Sequence, residues 1–256
     1  MTQTLKISII TVAYNSAATL GDTLKSVAAQ NHLEVEHILV DGGSTDGTSD
    51  LVSKIGGHLT KYISEPDRGI YDAMNKGLSL ATGEIIGLLN SDDFYVENNV
   101  LEEVASIFKA NPELDVVMGS IDFVEGNDLH RVVRRVTANK FSPWMMRFGF
   151  MPPHPAVFIR KSAYERIGPY KINYKIAADF ELLVRLLWFD CAKYKIVPSL
   201  WVRMRTGGAS TSGWHSTSVI TREMLRSLSE NGIYSSRLIL ILRLPIKFFK
   251  EVFLIR

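Results

Sequence analysis

The feature that most constrains this chain is an alternation of short apolar runs with amphipathic segments through its first half. Residues 7–12 form an apolar, β-branched run that predicts a buried strand, and 35–40, 61–64, 84–89 and 115–119 are predicted to be the next four strands. Segments with apolar residues at helical spacing separate these runs. Such alternation is typical of an α/β fold, in which helices cover a parallel, doubly wound sheet.

Two features of the predicted helices can be read from the same pattern. Asn15 or Ser16, directly after the first strand, is expected to cap the first helix. The helix after the third strand is expected to bury one face formed by Ile70, Met74, Gly77, Leu78 and Ala81.

Composition excludes several classes of protein. The chain has 256 residues, of which 46% are hydrophobic and 22% charged, as in ordinary globular proteins. A net charge of only +2 gives no indication of a dedicated nucleic-acid binder. The single cysteine, Cys191, excludes a disulfide framework. Because we find neither a signal-peptide pattern nor an apolar stretch of about 20 residues, we expect a cytoplasmic protein.

Aspartates follow three of the predicted strands. Asp41 ends the second strand, Asp67 follows the third, and Asp92 with Asp93 follows the fourth. Loops at the carboxyl ends of neighbouring parallel strands share one edge of the sheet, where ligands bind. The sequence therefore predicts a binding site rich in carboxylates at this edge, suited to a cation or to the neutral part of a nucleoside.

The adjacent pair Asp92 and Asp93 is the strongest candidate for metal binding. Adjacent side chains point to opposite sides of an extended chain, so we assign Asp93 to the metal and Asp92 to a sugar hydroxyl or a water. One carboxylate with substrate phosphates and waters is the usual way in which proteins hold Mg²⁺ or the similar Mn²⁺. The simpler interpretation is that this pair only caps the following helix.

Other nucleotide-binding signatures are missing. The loop 41–47 carries three glycines, which let a backbone approach a flat ligand closely, but it has no Gly-x-Gly-x-x-Gly fingerprint. No Gly-x-x-x-x-Gly-Lys-Ser/Thr loop occurs either. The sequence therefore lacks the main feature that would indicate a dehydrogenase or a P-loop protein.

Four blocks of sequence resemble family 2 glycosyltransferases. They are Ile-Ile-Thr-Val-Ala-Tyr-Asn (9–15), Val-Asp-Gly-Gly-Ser-Thr-Asp-Gly-Thr (40–48), Glu-Pro-Asp-Arg-Gly-Ile-Tyr-Asp-Ala-Met-Asn-Lys-Gly (65–77) and Asn-Ser-Asp-Asp (90–93). The resemblance covers about residues 5–210 and is greatest to non-processive bacterial enzymes of exopolysaccharide and lipopolysaccharide synthesis, including colanic-acid-type transferases. It implies a GT-A fold with a Rossmann-like, mostly parallel sheet flanked by helices. It also implies an inverting, metal-dependent enzyme that uses a nucleotide-diphosphate sugar.

The same resemblance implies roles for individual residues. The backbone of Val12 and the ring of Tyr14 would border the nucleobase, and Asp93 would hold the metal. The carboxylates expected to contact the base and ribose are Asp41, Asp67 and Asp92. One position departs from the family pattern, because many relatives have a second aspartate where this chain has Gly42. UDP is therefore only the favoured donor nucleotide.

The second half of the chain is expected to carry the catalytic base. By resemblance, Asp179 matches the aspartate that deprotonates the acceptor hydroxyl, a base that direct displacement at the anomeric carbon requires. Glu181 is two residues away, so on a helix it points elsewhere, although both acids also suit a helix N-terminus. His154 is either a structural histidine between prolines or, as in some relatives, a group that reaches the metal or its phosphates.

Two basic segments leave alternatives open. Arg203 and Arg205, before the glycine-containing loop 206–210, could close over a leaving diphosphate or form a solvated strand edge. The segment 120–150 combines basic and aromatic residues and is either a surface strand followed by core packing or a mobile part of the acceptor site.

The chain is expected to end in an amphipathic helical tail. Residues 235–256 carry five basic residues against one acid, Glu251, with the apolar and basic side chains on different helical faces. This pattern indicates a helix on an anionic membrane surface, interrupted near Pro245, or alternatively a helix packed on the core or on a second copy. We expect a glycosyltransferase domain at 1–215, with donor half 1–119 and acceptor half 120–215, and a tail at 216–256.

Together these observations predict inverting transfer of one sugar from a nucleotide-diphosphate sugar to an acceptor hydroxyl, with Mn²⁺ or Mg²⁺ as cofactor. The expected acceptor is a lipid-linked saccharide at the cytoplasmic face of the inner membrane, in bacterial surface polysaccharide synthesis. Two rival hypotheses are a catalytically inactive glycan-binding or scaffold relative and a sugar-nucleotide pyrophosphorylase. The pyrophosphorylase would resemble a chain that opens with a Gly-x-Gly-x-Arg-Leu block, which this chain lacks.

Overall fold

The structure is a computed structural model, and it describes residues 4–126, 128–207 and 214–242. Its regular elements alternate between strand and helix through the first half of the chain, as the apolar pattern predicts. The strands are β1 (Ile7–Ala13), β2 (Val35–Asp41), β3 (Lys61–Ser64), β4 (Ile85–Leu88), β5 (Asp93–Tyr95), β6 (Val116–Glu125), β7 (Asp128–Val136), β8 (Val157–Arg160) and β9 (Tyr194–Arg205).

Helices flank this sheet. They are α1 (Leu20–Ala28), α2 (Thr48–Ile55), α3 (Ile70–Leu80), α4 (Val100–Ala110), α5 (Lys161–Ile167), α6 (Ala178–Val184), α7 (Trp214–Glu230) and α8 (Arg237–Ile241). Short 3₁₀ turns cover Pro143–Phe148 and His154–Ala156, and one π-helical turn, Arg185–Phe189, continues α6.

All nine described strands belong to one sheet, in the order β3-β2-β1-β4-β8-β6-β9-β5, with β7 beside β6. The strands β1 to β4 pair in parallel, as do β6 and β9. Between these two groups lies β8, which is antiparallel to both of its neighbours, and β5 and β7 are antiparallel to β9 and β6. Six strands of this described sheet therefore run in one direction and three in the other, which confirms the mostly parallel α/β fold.

The central strands of the sheet are buried because they present apolar side chains to both faces, whereas β3 and β7 are largely exposed. In β1, Ile10 and Val12 face an apolar cluster that also contains residues of α3 and α6. The alternate residues Ile7 and Ile9 face a second cluster formed with α4. This alternation follows from the two-residue period of a strand, and it explains why the run at 7–12 has no polar face.

Of the two predictions about the helices, the N-terminal cap was wrong and the buried face of α3 is confirmed except for Ile70. α1 begins only at Leu20, and neither Asn15 nor Ser16 caps it, because the chain first makes a turn in which Asn15 has φ +49°. In α3, Ile70 is 43% exposed. The other predicted residues face the core, since Met74, Gly77 and Ala81 are buried and Leu78 packs against the apolar cluster; Tyr71 is buried in place of Ile70.

The C-terminal elements differ in how they pack. Met224 and Leu228 of α7 lie in the same apolar cluster as α3 and α6, so this helix is part of the main core. In α8, Leu240 is buried while Leu238 is 77% exposed. The rest of the predicted tail, residues 243–256 with Pro245, lies outside the described residues. Among the described helices we find none whose length and hydropathy would allow it to span a membrane.

Candidate active site

The loops after β1, β2 and β4 meet at the carboxyl edge of the parallel strands. Ser16, after β1, shares a 2.8 Å hydrogen bond with Ser91, after β4, and its backbone N–H donates to Thr48 Oγ1 over 2.9 Å. Asn15 Oδ1 accepts from the backbone N–H of Thr45 over 2.9 Å. These bonds bring together the segments that carry the predicted donor-site residues.

Asp41 is fully buried at the end of β2 and organises the glycine-rich loop. Ser64 Oγ donates to its Oδ2 over 2.6 Å, and Ser44 donates to the carboxylate through both its hydroxyl and its backbone N–H. Both carboxylate oxygens are therefore used by the protein. Asp41 supports the loops of this edge, and the more exposed groups near it are left to meet a ligand.

Tyr14, Gly42 and Asp67 lie directly against one another. A Cβ atom built on Gly42 would lie 2.5 Å from Asp67 Oδ2 and 3.3 Å from Cδ2 of the Tyr14 ring. The Asp67 side chain is partly buried and accepts from the backbone N–H of Gly69 over 2.8 Å, while Tyr14 is 66% exposed. The departure at position 42 thus has a physical reason, because the Asp67 carboxylate occupies the space that a side chain there would need.

Asp92 and Asp93 have different surroundings. Asp93 is fully buried at the start of β5, where its Oδ1 has no hydrogen-bond partner among the described residues and its Oδ2 accepts from Asn90 over 3.3 Å. Burial raises the pKa of the Asp93 carboxyl well above its usual range, and the nearby charge of Asp92 adds to the rise. Burial also raises the pKa of Asp92, which is partly exposed. The pair therefore does not serve merely to cap a helix, since α4 begins only at Val100.

These observations fit a cation at Asp93. A buried carboxylate oxygen without a partner is costly unless a positive charge or a donor meets it. Among the described residues, no group of three or more His, Cys, Asp or Glu side chains is arranged to hold a metal ion. A site with one protein carboxylate, completed by phosphate and water oxygens, needs no such group.

Arg205 is part of the scaffold rather than a solvated strand edge. Its guanidinium is buried at the end of β9, donates to the backbone carbonyl of Asp92 over 2.8 Å and pairs with Asp22 of α1. A cavity of about 600 Å³ opens beside Asp22, Asp92 and Arg205. Part of the glycine-containing loop that follows Arg205, residues 208–210, lies outside the described residues.

His154 contacts a cluster of tyrosines. Its Nε2 lies 2.9 Å from the hydroxyl of Tyr170, which also lies 3.1 Å from the hydroxyl of Tyr164. Burial lowers the pKa of His154 to about 4, so the ring is neutral at physiological pH. A metal-binding role for His154 stays a prediction, because its described partners are tyrosines.

Asp179 lies in the first turn of α6, partly buried, where its Oδ1 accepts from the backbone N–H of Phe180 over 2.8 Å. Burial raises the pKa of Asp179 to about 6, although hydrogen bonds from the backbone act in the opposite direction. Such a carboxyl is a suitable general base near neutral pH. Glu181 is fully buried and bound to Arg185 and Lys171, so it points elsewhere, as predicted.

Three residues that contact the chain just before α6 were not identified from the sequence. Tyr71 donates its hydroxyl to the carbonyl of Ile176, Asn75 exchanges hydrogen bonds of 2.8 and 2.9 Å with the backbone of Tyr170, and Glu223 binds the segment before α6. Tyr71 and Asn75 lie four residues apart in the block 65–77, so the sequence could have predicted that they share one face of a helix. The sequence around Glu223 contains no pattern that would have indicated its role.

The chain is similar in sequence to known glycosyltransferases. The family described as Glycosyl transferase family 2 matches residues 8–168. A PGL/p-HBAD biosynthesis glycosyltransferase of Mycobacterium bovis is 29% identical over 238 residues, which cover 92% of this chain and 88% of that protein. An uncharacterized glycosyltransferase of Mycobacterium tuberculosis is 32% identical over 187 residues, covering 72% of this chain and 70% of the relative.

Solved structures share the fold. The S. aureus TarS 1-349 structure in complex with UDP-GlcNAc matches with a TM-score of 0.67 at 20% identity, covering 88% of this chain and 66% of that chain. The mannosyltransferase PcManGT from Pyrobaculum calidifontis, in complex with GDP-Man and Mn²⁺, matches with a TM-score of 0.66 at 18% identity, covering 90% and 65%. This chain thus spans about two thirds of either structure's length. It belongs to glycosyl transferase family 2, as the match over residues 8–168 shows.

Proposed function

We propose that this protein transfers a single sugar, with inversion, from a nucleotide-diphosphate sugar to an acceptor hydroxyl. The observation that carries the proposal is the buried oxygen of Asp93, which has no partner in the described part of the chain and lies at the sheet edge where the loops after β1, β2 and β4 meet. A diphosphate with its cation would satisfy that oxygen. The family assignment and the carboxylates around this edge agree with such a donor.

The donor side is formed by groups near the ends of β1 to β4. The backbone of Val12 and the exposed Tyr14 ring are proposed to border the nucleobase, next to the Asp67 carboxylate. Asp92 is proposed to bind the ribose, and Asp41 to hold the loop that lies against base and ribose. UDP is the favoured nucleotide, since two TarS structures contain UDP or UDP-GlcNAc, although PcManGT contains GDP-Man.

Asp93 is proposed to hold the divalent cation, Mn²⁺ or Mg²⁺. The cation would neutralise the negative charge that develops on the diphosphate as it leaves. Asn90 orients the Asp93 carboxylate, and Thr23 fixes the backbone by donating to the Asp93 carbonyl over 2.7 Å. Arg205 holds the neighbouring carbonyl of Asp92, so the whole turn is fixed before a ligand binds.

Asp179 is proposed to be the general base. It accepts the proton of the acceptor hydroxyl while that oxygen forms its bond to the anomeric carbon. The bond between this carbon and the diphosphate oxygen breaks on the opposite face, and the leaving diphosphate takes the electron pair. One carboxylate suffices for this displacement, and its pKa of about 6 leaves it deprotonated at neutral pH.

The test is a thermal-shift panel of UDP, GDP, dTDP and CMP, each with and without Mn²⁺, followed by hydrolysis of the matching nucleotide sugars. One nucleotide at about 100 times its dissociation constant should add about 2.7 kcal/mol, a shift of several degrees that depends on Mn²⁺. Donor hydrolysis followed by NMR should first release the sugar with inverted anomeric configuration. Retained configuration would contradict the mechanism, and binding without any hydrolysis would favour the inactive, glycan-binding alternative.

The acceptor is proposed to be a lipid-linked saccharide at the cytoplasmic face of the inner membrane. Apolar side chains are exposed where the described chain ends, namely Tyr234, Leu238, Ile241 and Leu242. The 3₁₀ turn that carries the exposed Trp144 joins this region, since Ser235 Oγ donates to the carbonyl of Arg147 over 2.8 Å. The basic residues that follow in the sequence complement an anionic lipid surface.

Sedimentation with vesicles tests this membrane contact. The full chain should pellet with vesicles containing phosphatidylglycerol and remain in solution with pure phosphatidylcholine. Truncation after Leu242 should abolish pelleting, and Trp144→Ala should weaken it. Leu33→Ala, which removes an exposed apolar side chain from the loop between α1 and β2, should leave it unchanged. Equal pelleting of the full and truncated chains would contradict the proposal.

A further inference from the structure

The segment that leads into α6 is held by a carboxylate from a distant helix. Glu223 of α7 is buried, and its Oε1 accepts from the backbone N–H of Lys175 over 2.7 Å. Its Oε2 accepts from the N–H groups of Ile176 and Ala177 over 2.9 and 3.0 Å. These three donors come directly before the helix whose first turn carries Asp179.

The surrounding contacts make this a defined attachment of α7 to the segment 171–177. Arg226 donates to the carbonyl of Asn173 over 3.2 Å, and Glu230 accepts from Lys171 and Tyr174, each over 3.1 Å. Glu223, Arg226 and Glu230 are spaced by three and four residues, so they lie on one face of the helix. Glu223 is the buried member of this set, and Arg226 and Glu230 are partly exposed.

Glu223 is not itself placed to act as a base. Both of its oxygens are occupied by backbone donors, and three N–H groups share the one carboxylate. Charge-assisted bonds of this kind are about twice as strong as neutral ones, and they fix the backbone whose N–H groups they bind. The opposite side of the same segment is held by the Tyr71 hydroxyl, which donates to the carbonyl of Ile176.

We propose that Glu223 is a positioning residue for the transfer reaction, which holds the segment 175–177 so that Asp179 faces the acceptor hydroxyl. This inference rests on the proposed role of Asp179 as base. It adds a residue, on a helix beyond the span that the family match covers, to the catalytic arrangement.

The charge of Glu223 also acts on Asp179. The titratable groups that act on Asp179 are Tyr71 from α3, Tyr170 from the loop before α6, and Glu223 from α7. Burial is the main cause that raises the pKa of Asp179 to about 6, and the negative charge of Glu223 adds to the rise. Removing this charge should therefore lower the pKa of Asp179. The acid limb of the pH–rate profile, where kcat falls because the base is protonated, should then move to lower pH.

The test is Glu223→Gln, which preserves size but places an amide NH₂ against backbone donors. With the donor selected by the thermal-shift panel, kcat for hydrolysis should fall by about 10- to 100-fold with KM nearly unchanged, because the base is misplaced while the donor site is intact. The acid limb should shift to lower pH. Glu223→Asp keeps the charge on a shorter side chain, so it should lower kcat and leave the acid limb where it is.

Amide hydrogen exchange gives a readout that needs no turnover. The N–H groups of Lys175, Ile176 and Ala177 should exchange about 10- to 100-fold faster in Glu223→Gln. In Glu230→Gln, whose carboxylate does not contact these amides, their exchange and the acid limb should match the wild type. Thermal shift with the nucleotide confirms that each variant is folded.

The outcomes separate this inference from the function on which it rests. Wild-type kcat, acid limb and amide exchange in Glu223→Gln would overturn the positioning role alone. A loss of kcat with an unchanged acid limb and unchanged exchange would also overturn it. If instead Asp179→Asn turned over normally, the proposed base would fail, whereas the exchange data would still show whether Glu223 holds the segment.

Discussion

The donor side and the base side of the candidate site are built in different ways. On the donor side, the residues lie at or just beyond the end of the strand that positions them, as Asp41 ends β2 and Asp92 follows β4. On the base side, Asp179 begins a helix whose entry is fixed by Tyr71, 105 residues before its partner, and by Glu223, 46 to 48 residues after its partners. The position of a residue at a strand end therefore defines the donor side of the site, and contacts between distant parts of the chain define the base side.

This difference leads to a separable pair of expectations. Changes on the donor side should alter nucleotide binding, because those groups are proposed to contact the nucleotide or its cation. Changes on the base side should alter turnover and leave nucleotide binding intact. Each variant below is chosen so that it can break or sharpen this separation.

The largest effect is expected for Asp179→Asn. An amide cannot accept the proton of the attacking hydroxyl, so kcat for transfer or donor hydrolysis should fall by about 10²- to 10⁴-fold. The dissociation constant of the donor nucleotide, measured by calorimetry, should stay within about twofold of the wild type. Equal losses of turnover and of nucleotide affinity would show that Asp179 belongs to the donor side.

Asp93→Asn should produce the opposite result. Without the buried carboxylate, the dissociation constant of the nucleotide in the presence of Mn²⁺ should rise by about tenfold or more, which is a loss of at least about 1.4 kcal/mol. Calorimetry without Mn²⁺ should give equal affinities for variant and wild type. A variant that kept the full Mn²⁺ effect would exclude Asp93 as the metal ligand.

The donor side was also the part that the sequence predicted well. Alternating apolar runs located β1 to β4, and the shared edge of parallel strands then grouped Asp41, Asp67 and Asp92 without any knowledge of contacts. The antiparallel insertion of β8 between β4 and β6 was missed, because a short apolar run does not reveal its direction. The roles of individual residues came from the family resemblance and not from the apolar pattern.

The base side was less predictable for a physical reason. Residues 216–256, which include most of α7, were predicted to form a separate tail. In the structure, Met224 and Leu228 pack in the main core, and the polar face of α7 carries Glu223. A buried carboxylate that binds backbone N–H groups leaves no pattern in sequence, because its partners are three ordinary residues in a loop.

Gly42→Ala tests the close packing of Gly42 against Tyr14 and Asp67 on the donor side, and we expect a moderate loss of nucleotide affinity. The new Cβ would lie 2.5 Å from Asp67 Oδ2 and must displace this carboxylate from the Tyr14 ring, so nucleotide affinity should fall by about tenfold. The melting temperature should change little, because a flexible carboxylate can move. Gly57→Ala, whose Cβ would have no atom within 4 Å, is the matched control and should change neither quantity.

The smallest effect concerns stability, where Asp46 and Asp179 should respond to pH with opposite sign. On the donor side, hydrogen bonds from Thr48 and from the backbone N–H of Ala17 lower the pKa of Asp46. Because the pKa of Asp46 is lower in the folded than in the unfolded chain, its ionised carboxylate stabilises the fold at pH values above the unfolded pKa. This stabilisation is lost as the pH falls. Asp46→Asn should therefore destabilise the protein at pH 7 and have progressively less effect toward acid pH.

Asp179 should behave in the reverse manner. Its folded pKa of about 6 lies above the usual 3.8, so the folded state retains a proton that the unfolded chain releases, and stability falls as the pH rises from about 4 to about 6. The decline is about 2 kcal/mol, or roughly 4–8 °C. Asp179→Asn lacks it, so its melting temperature should exceed that of the wild type increasingly from pH 4 to pH 7. Parallel curves would mean that the buried carboxyl is not held protonated, and that the base is tuned only when donor and acceptor are bound.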